Sequence, residues 1–342
     1  MADLTEVLWY RQCRPLWPLL PFSWLYQRIA RSRRQRLQAA AHLLPVPVIV
    51  VGNITAGGTG KSPLTAWLAG YLAEQGWRPV ILSRGYGSDR PADSPMVVTP
   101  DTDPARAGDE PVMLAAQTGC PVVVHPRRLE SARLVLEQDL GDLLLCDDGL
   151  QHYYLARDLE LAVFDGARGI GNGAGLPVGP LREMPERLGE VDFVVVNGEA
   201  TGPVPAHPDR HAMTLEPSRV RNLATGETQS PDWLQGRECA ALAGIGNPQR
   251  FFDQLRTLGA TVEGRAFADH HRYTGRDIAM ADNRPLLMTA KDAVKIRPFA
   301  HDQCWVLDVE PTLPPGFGPA LEQALHRKLT GRGLQLTSSR ET

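Results

Sequence analysis

The chain alternates short apolar runs with amphipathic stretches from about residue 45 onward. The runs are continuous stretches of Val, Ile and Leu, which is typical of parallel strands that helices cover on both faces. This pattern predicts strands near residues 46–51, 79–82, 96–99, 122–125, 143–146, 161–164, 192–196, 239–244, 261–266, 286–288 and 304–309. Helices are predicted near residues 61–75, 109–118, 127–138 and 248–258. We therefore predict an α/β fold with a mostly parallel sheet.

Changes in composition divide the chain into four parts. Residues 1–40 are apolar and basic, and residues 41–205 carry most of the predicted strands. Residues 206–236 are rich in Pro, Gly, Thr and Arg, and we predict a linker that carries a small hairpin. A second, smaller α/β domain is predicted over residues 237–342. A chain of 342 residues is long enough for two such cores.

The first predicted strand runs into a glycine-rich loop and then into a helix. The loop has the order of a phosphate-binding P-loop, in which glycines let backbone N–H groups surround a polyphosphate. Lys61 would reach the outer phosphates, and the Ser62 hydroxyl would hold Mg²⁺. Thr55 replaces the first glycine of the general motif, and a glycine-rich turn without a ligand is the alternative. The predicted nucleotide contacts are Thr55, Ala56, Gly57, Gly58, Thr59, Gly60, Lys61 and Ser62.

Polar residues follow several predicted strands, at the edge of the sheet where ligands bind in parallel α/β folds. Ser83–Gly87 follows one strand, and Asp147 and Asp148 follow another. Two adjacent carboxylates repel each other unless a cation compensates, so the pair predicts a Mg²⁺ site. The alternative is that they cap a helix or turn. The glycine-rich stretch 165–180 is too long for a simple connection and is predicted to be functional or mobile.

The N-terminal segment joins an apolar, aromatic run at residues 16–26 to a basic cluster. The run is shorter than the roughly twenty residues that cross a bilayer. Trp and Tyr beside arginines are typical of segments that lie in a headgroup layer, so we predict contact with a membrane surface. A helix packed on the protein's own core is the alternative. The flanking arginines are Arg11, Arg14, Arg28, Arg31, Arg33, Arg34 and Arg36.

Charge and cysteine content narrow the classes of function. The net charge of −3 argues against a general nucleic-acid-binding protein. The five cysteines are scattered without a C-x-x-C pair, which indicates a reducing compartment and no zinc site. Nothing in the sequence indicates an obligatory protein partner.

Seven motifs together resemble those of the tetraacyldisaccharide 4′-kinase family of lipid A biosynthesis, in the order of that family. The resemblance covers residues 45–297, and the N-terminal segment is similar to the family's membrane anchor. Leu150 stands where the family more often has Phe, and Ala290 where it more often has Glu. The motifs lie at residues 51–62, 83–87, 108–111, 147–152, 176–183, 268–271 and 289–295.

The resemblance implies a kinase that uses ATP and Mg²⁺. Its acceptor would be the 4′-hydroxyl of a tetraacylated glucosamine disaccharide 1-phosphate, and its product lipid IVA, the lipid A precursor. It would act at the cytoplasmic face of the bacterial inner membrane as a peripheral or monotopic protein. Two other classes remain open: a soluble P-loop ATPase or ligase-like enzyme that acts on a small carboxylate, and a nucleotide-switched membrane adaptor.

Motif matching also implies roles for individual residues. Asp109 matches the catalytic base and His270 its partner. Arg128 and Arg182 match arginines that stabilise phosphoryl charge or hold substrate. Arg127 is the alternative to Arg128, and His271 is the alternative to His270, because each is the immediate neighbour in the sequence. Residues matching the phosphate and metal site are Lys61, Ser62, Asp147 and Asp148.

Overall fold

The computed structural model of the chain describes residues 7–11, 17–89, 93–279 and 283–333. Arg14 and Leu16 of the predicted membrane segment lie outside the described residues. The strands are β1 (Val48–Gly52), β2 (Pro79–Ser83), β3 (Met96–Val98), β4 (Val122–Val124), β5 (Leu143–Cys146), β6 (Leu159–Asp165), β7 (Phe193–Asn197), β8 (Arg210–Asn222), β9 (Thr228–Gln229), β10 (Glu238–Ala243), β11 (Thr261–Ala266), β12 (Leu286–Thr289) and β13 (Cys304–Thr312).

Helices cover both faces of the sheet. Shorter helical turns lie at Val7–Arg11, Trp17–Leu19, Pro185–Glu190, Pro231–Leu234 and Arg297–Phe299. The α-helices are α1 (Leu20–Ala39), α2 (Lys61–Glu74), α3 (Pro104–Ala107), α4 (Asp109–Thr118), α5 (Arg128–Glu137), α6 (Pro248–Thr257), α7 (Gly275–Ile278), α8 (Ala290–Ile296) and α9 (Phe317–Gly331).

The strands form one sheet in the order β11-β10-β12-β13-β8-β7-β6-β1-β5-β2-β4-β3, and β9 pairs with β8. Only the β3–β4, β8–β9 and β8–β13 pairs among the described strands are antiparallel. We call the strands from β7 to β3 the first half and those from β11 to β13 the second half. The prediction of a mostly parallel α/β sheet is confirmed.

Strand β8 occupies the segment predicted as a linker. Its residues Arg210–Met213 pair in parallel with β7, and its remaining residues pair antiparallel with β13. Strand β9 turns back on β8 as a small hairpin. The strand therefore belongs to both halves of the sheet, and the predicted domain boundaries stay a prediction.

Helix α9 follows the last strand of the second half but packs on the first half. Its buried face, with Phe317, Leu321 and Leu325, joins the same apolar core as Leu161 and Phe193. Burial of one such side chain stabilises a fold by about 1.5–3 kcal/mol. The sequence division had placed this helix in the second domain, and its packing ties the two halves together.

Helix α1 rests on the first half through polar contacts. Ser23 Oγ donates to the carbonyl of Gly175 at 2.8 Å, and Gln27 Nε2 donates to the carbonyl of Leu181 at 3.1 Å. The opposite face is apolar and exposed, with Trp24 at 66% exposure. No helix within the described ranges is long and apolar enough to cross a bilayer. The helix thus contacts the protein and also leaves an apolar face uncovered.

Candidate active site

The glycine-rich loop after β1 is held by two asparagine side chains. Asn53 Nδ2 donates to the carbonyl of Gly57 at 3.3 Å, and Asn197 Nδ2 donates to that of Thr59 at 3.2 Å. Gly60 has a φ of +95°, and a Cβ there would lie 2.5 Å from Asn197 Nδ2. Only glycine fits this position. The loop is therefore fixed in a tight turn by the residue that ends β7, which sequence reasoning did not identify.

Helix α2 begins at Lys61, directly after this loop. No side chain caps its first turn, since Gly60 is the N-cap residue. The first N–H groups and the positive end of the helix dipole are thus available to an anion. The predicted contacts Gly57–Ser62 line the main cleft, whereas the Ala56 N–H donates to the carbonyl of Pro180 at 2.8 Å. Thr55 likewise pairs with Leu181, so these two residues hold the 165–180 stretch against the phosphate loop.

Asp147 and Ser62 lie close enough together that both could hold one divalent cation. Ser62 Oγ lies 3.3 Å from Asp147 Oδ2, and Thr65 Oγ1 donates to Asp147 Oδ1 at 3.0 Å. Burial raises the pKa of Asp147 to about 6, and the charge of Glu110 adds to this effect. No group of three or more His, Cys, Asp or Glu side chains in the described part of the chain has an arrangement that could hold a metal ion by itself. A hydroxyl, one carboxylate and substrate phosphates are nevertheless a set that suits Mg²⁺.

Asp148 points away from Asp147, toward two cations. Its Oδ1 lies 3.5 Å from Lys61 Nζ and 3.6 Å from an Arg182 guanidinium nitrogen. Burial acts to raise the pKa of Asp148, but the charges of Lys61 and Arg182 outweigh it and lower the pKa overall. The two carboxylates that the sequence predicts as a metal pair therefore differ in surroundings: Asp147 lies beside hydroxyls, and Asp148 holds the cations that would face the outer phosphates.

The two arginines at the start of α5 have different environments. Arg128 is 1% exposed, and its guanidinium donates to the carbonyls of Asp147 and His125 at 2.8 and 3.2 Å. Burial lowers its pKa. Arg127 is exposed and lines the cleft. Both arginines line the cleft; Arg128 holds the loop after β5 through the carbonyl of Asp147, and Arg127 has the more exposed side chain.

Asp109 and His270 are in contact across the two halves of the sheet. His270 Nδ1 lies 3.1 and 3.0 Å from the two carboxylate oxygens of Asp109. Asp109 opens α4 after Gly108, whose φ is +91° and where a Cβ would lie 2.6 Å from the carbonyl of Tyr86. His271 instead packs on the Phe267 ring, with 4.6 Å between ring centroids. His270 is thus the histidine that reaches Asp109.

The contact between Asp109 and His270 changes the pKa of both residues. The hydrogen bond to Asp109 raises the pKa of His270. Burial acts to raise the pKa of Asp109, yet it is lowered overall, chiefly by the hydrogen bond with His270 and the charge of Lys291. The ion pair is complete between these two pKa values. Its contribution to stability is lost as the pH falls through the pKa of Asp109 or rises through that of His270.

One cleft of about 1500 Å³ joins these parts. Its lining includes the phosphate loop, Asp147, Asp148 and Arg182 from the first half and His270 from the second half. Asp109 is 5% exposed and lies behind His270, which faces the cleft. Five further residues line the same cleft, and the sequence alone did not place them in the site: Tyr26, Arg33, Gln151, Asn197 and Lys291.

Comparison with known proteins identifies the family. The sequence profile described as tetraacyldisaccharide-1-P 4′-kinase matches residues 15–328. The chain belongs to the tetraacyldisaccharide-1-P 4′-kinase family. The tetraacyldisaccharide 4′-kinase of Pseudomonas putida strain W619 is 44% identical over 335 residues, covering 97% of this chain and 98% of that protein. That of Dechloromonas aromatica strain RCB is 47% identical over 338 residues, covering 97% and 99%.

A solved structure of the family has the same fold. The crystal structure of the "apo" form of LpxK from Aquifex aeolicus, in complex with ATP at 2.2 Å resolution, superposes with a TM-score of 0.78. It is 29% identical in sequence and covers 91% of this chain and 98% of that one. Family membership confirms the predicted fold class and kinase activity, with ATP and Mg²⁺ as cofactors, and decides against the ATPase, ligase-like and adaptor alternatives.

The different surroundings of the two carboxylates in this kinase give a test. Asp147→Asn should raise the Mg²⁺ concentration for half-maximal phosphoryl transfer by at least about tenfold, because an amide is a weaker ligand than a carboxylate. Asp148→Asn should mainly lower the maximal rate, because it releases Lys61 and Arg182. Mg²⁺ titrations of the initial rate measure both. Exposed Asp142, changed to Asn, is the matched control. If the initial rates of all three variants depended on the Mg²⁺ concentration as the wild-type rate does, Asp147 would only cap the loop after β5.

Proposed function

We propose that this kinase transfers the γ-phosphoryl group of ATP to the 4′-hydroxyl of a tetraacylated glucosamine disaccharide 1-phosphate, giving lipid IVA. The observation that carries the proposal is the cleft, in which a phosphate-binding loop faces a carboxylate–imidazole pair. The first element suits a nucleoside triphosphate, and the second suits the activation of a hydroxyl.

The donor end of the reaction depends on charge and position. The N–H groups of Gly57–Ser62 and the ammonium of Lys61 hold the phosphates, and Arg182 stabilises the charge that develops on the transferred group. Mg²⁺, held by Ser62 and Asp147, supplies further charge neutralisation when bound. Arg128 acts through the carbonyl of Asp147, whose loop it fixes.

The acceptor end depends on the Asp109–His270 pair. The 4′-oxygen forms a bond to the γ-phosphorus as the bond to the leaving ADP oxygen breaks, and the hydroxyl proton passes to the pair in the form in which the imidazole is neutral. Asp109 supplies the negative charge, and the His270 ring is the part that faces the cleft. Because the two groups share a hydrogen bond, they titrate as a unit.

Helix α1 is suited to bring the enzyme to its lipid acceptor. Each methylene that leaves a bilayer costs about 0.8 kcal/mol, so the acyl chains stay in the membrane. Phe22, Trp24 and Ile29 are 58–66% exposed; Arg28 lies between Trp24 and Ile29, and the other arginines of the helix follow. Tyr26 and Arg33 of the same helix line the cleft. These contacts support peripheral attachment at the cytoplasmic face of the inner membrane, where ATP is present.

Rates of transfer test the catalytic pair. Asp109→Ala should lower transfer from [γ-³²P]ATP to the lipid acceptor by about 10²- to 10⁴-fold, and His270→Ala by somewhat less. The double variant should be little slower than Asp109→Ala alone, because residues that act as a unit are not additive. ATP affinity should change little, and His271→Ala is the matched control. If the fold losses in rate of the two single variants multiplied in the double variant, the two residues would act separately. Normal turnover of a less stable Asp109→Ala protein would leave Asp109 with a capping role.

Vesicle binding tests the surface assigned to α1. Changing Arg28, Arg31 and Arg36 to Glu should weaken co-sedimentation with anionic vesicles, because each basic residue near such a surface contributes about 1 kcal/mol. The three residues are exposed, and Arg34, which pairs with Glu190, is left intact. The control is a variant in which three exposed arginines outside α1 are changed to Glu: Arg133, Arg256 and Arg297. Equal sedimentation of both variants would place the membrane contact on another surface.

A further inference from the structure

A lysine of the second half reaches the catalytic pair from behind. Lys295, on helix α8, places its ammonium 3.6 Å from Asp109 Oδ2 and 3.2 Å from Asp292 Oδ1. Its side chain is 10% exposed. Lys291 is among the described residues that line the cleft, and Lys295 is not. Lys295 is therefore placed to act on Asp109 and not on the acceptor.

Asp292 fixes the position of this ammonium. The Asp292 carboxylate is fully buried and accepts hydrogen bonds from Tyr273 Oη at 2.9 Å and Thr289 Oγ1 at 2.7 Å. The N–H of Gly244 donates to it as well. Lys295 Nζ also lies 5.1 Å from the centre of the Tyr273 ring. The second half of the sheet thus holds the cation in one place, facing a carboxylate of the first half.

We propose that Lys295 is a positioning residue for phosphoryl transfer: it keeps Asp109 ionised and fixes α8 against the catalytic pair. The inference rests on the proposed role of Asp109 and His270. Lys295 Nζ forms no hydrogen bond with the described residues, so its link to Asp109 is mainly one of charge. Without that charge, two buried carboxylates would lose their shared cation, and protonation of Asp109 would become easier.

The other charged groups near Asp109 have partners of their own. The charge of Lys291 also lowers the pKa of Asp109, but its Nζ lies 3.2 Å from Glu110 Oε1 and 3.0 Å from Asp269 Oδ1, so that charge is divided among three carboxylates. The Tyr86 ring stacks near His270, with 5.3 Å between ring centroids. The titratable groups that face Asp109 or its partner are Tyr86, Glu110, Asp269, His270, Lys291 and Lys295.

The pH dependence of kcat/KM distinguishes this role from a structural one. In Lys295→Met, the acidic limb of the profile should move to higher pH by about one unit, the lower end of the range for loss of an opposite charge, because His270 and Lys291 still act on Asp109. Activity should therefore fall more on the acidic limb of the profile than at pH 8.5. Lys295→Arg keeps the charge and should keep the wild-type limb even where its maximal rate is lower. Lys328→Met, on the outer helix α9, is the matched control with an unchanged profile.

A double variant completes the test. Lys295→Met should add little to the loss in an Asp109→Ala background, because it acts through Asp109. The inference would be overturned if kcat/KM of Lys295→Met fell equally at every pH. It would also be overturned if the fold losses of Lys295→Met and Asp109→Ala multiplied in the double variant. If Lys295→Met does not fold, the Lys295→Arg variant decides the question. An acidic limb at the wild-type pH in that variant would support the inference, and a shifted limb would overturn it. Wild-type enzyme that transfers no phosphoryl group to the acceptor would contradict the proposed function instead.

Discussion

The pairing of strand β8 with both halves of the sheet is the constraint on which the site depends. Its first residues extend the parallel sheet that carries the phosphate loop, and its later residues form an antiparallel ladder with β13. That ladder joins the first half to the second half, which carries α8 and the loop between β11 and α7, so His270 of that loop meets Asp109 of the first half. Helix α9 adds a second connection by returning to the core of the first half.

The pairing of carboxylates with cationic side chains explains how the charged residues of the cleft are arranged. Asp109 has His270 and Lys295 beside it, and Asp148 has Lys61 and Arg182. Asp147 is 2% exposed, hydroxyls are the side-chain groups that hydrogen-bond to its carboxylate, and burial raises its pKa. A buried charge without an ion-pair partner is costly, so of these three carboxylates Asp147 is the one suited to a metal ion. The electrostatics therefore separate the donor site from the acceptor site within one cavity.

Much of this architecture follows from the sequence, because continuous apolar runs and glycine-rich turns are local signals. The predicted strands near 79–82 and 143–146 match β2 and β5 to within one residue. The single strand β8 was not predicted as such, because Pro217 interrupts its alternation and its two partners lie far apart in sequence. The distinction between Arg127 and Arg128 likewise depends on which side chain tertiary packing buries. Lys295 lay within a recognised motif, but its contact with Asp109 joins residues too distant in sequence for any local pattern to show.

The phosphate loop and the Asp109–His270 pair face each other across one cleft, and a crystal structure with Mg²⁺ and a non-hydrolysable ATP analogue would show whether the reaction takes place between them. We expect phosphates along Gly57–Ser62, the metal ion bound by Ser62 and Asp147, and the γ-phosphate directed toward His270. A γ-phosphate directed away from His270, or a nucleotide bound outside the loop, would show that this arrangement is not the one used in phosphoryl transfer.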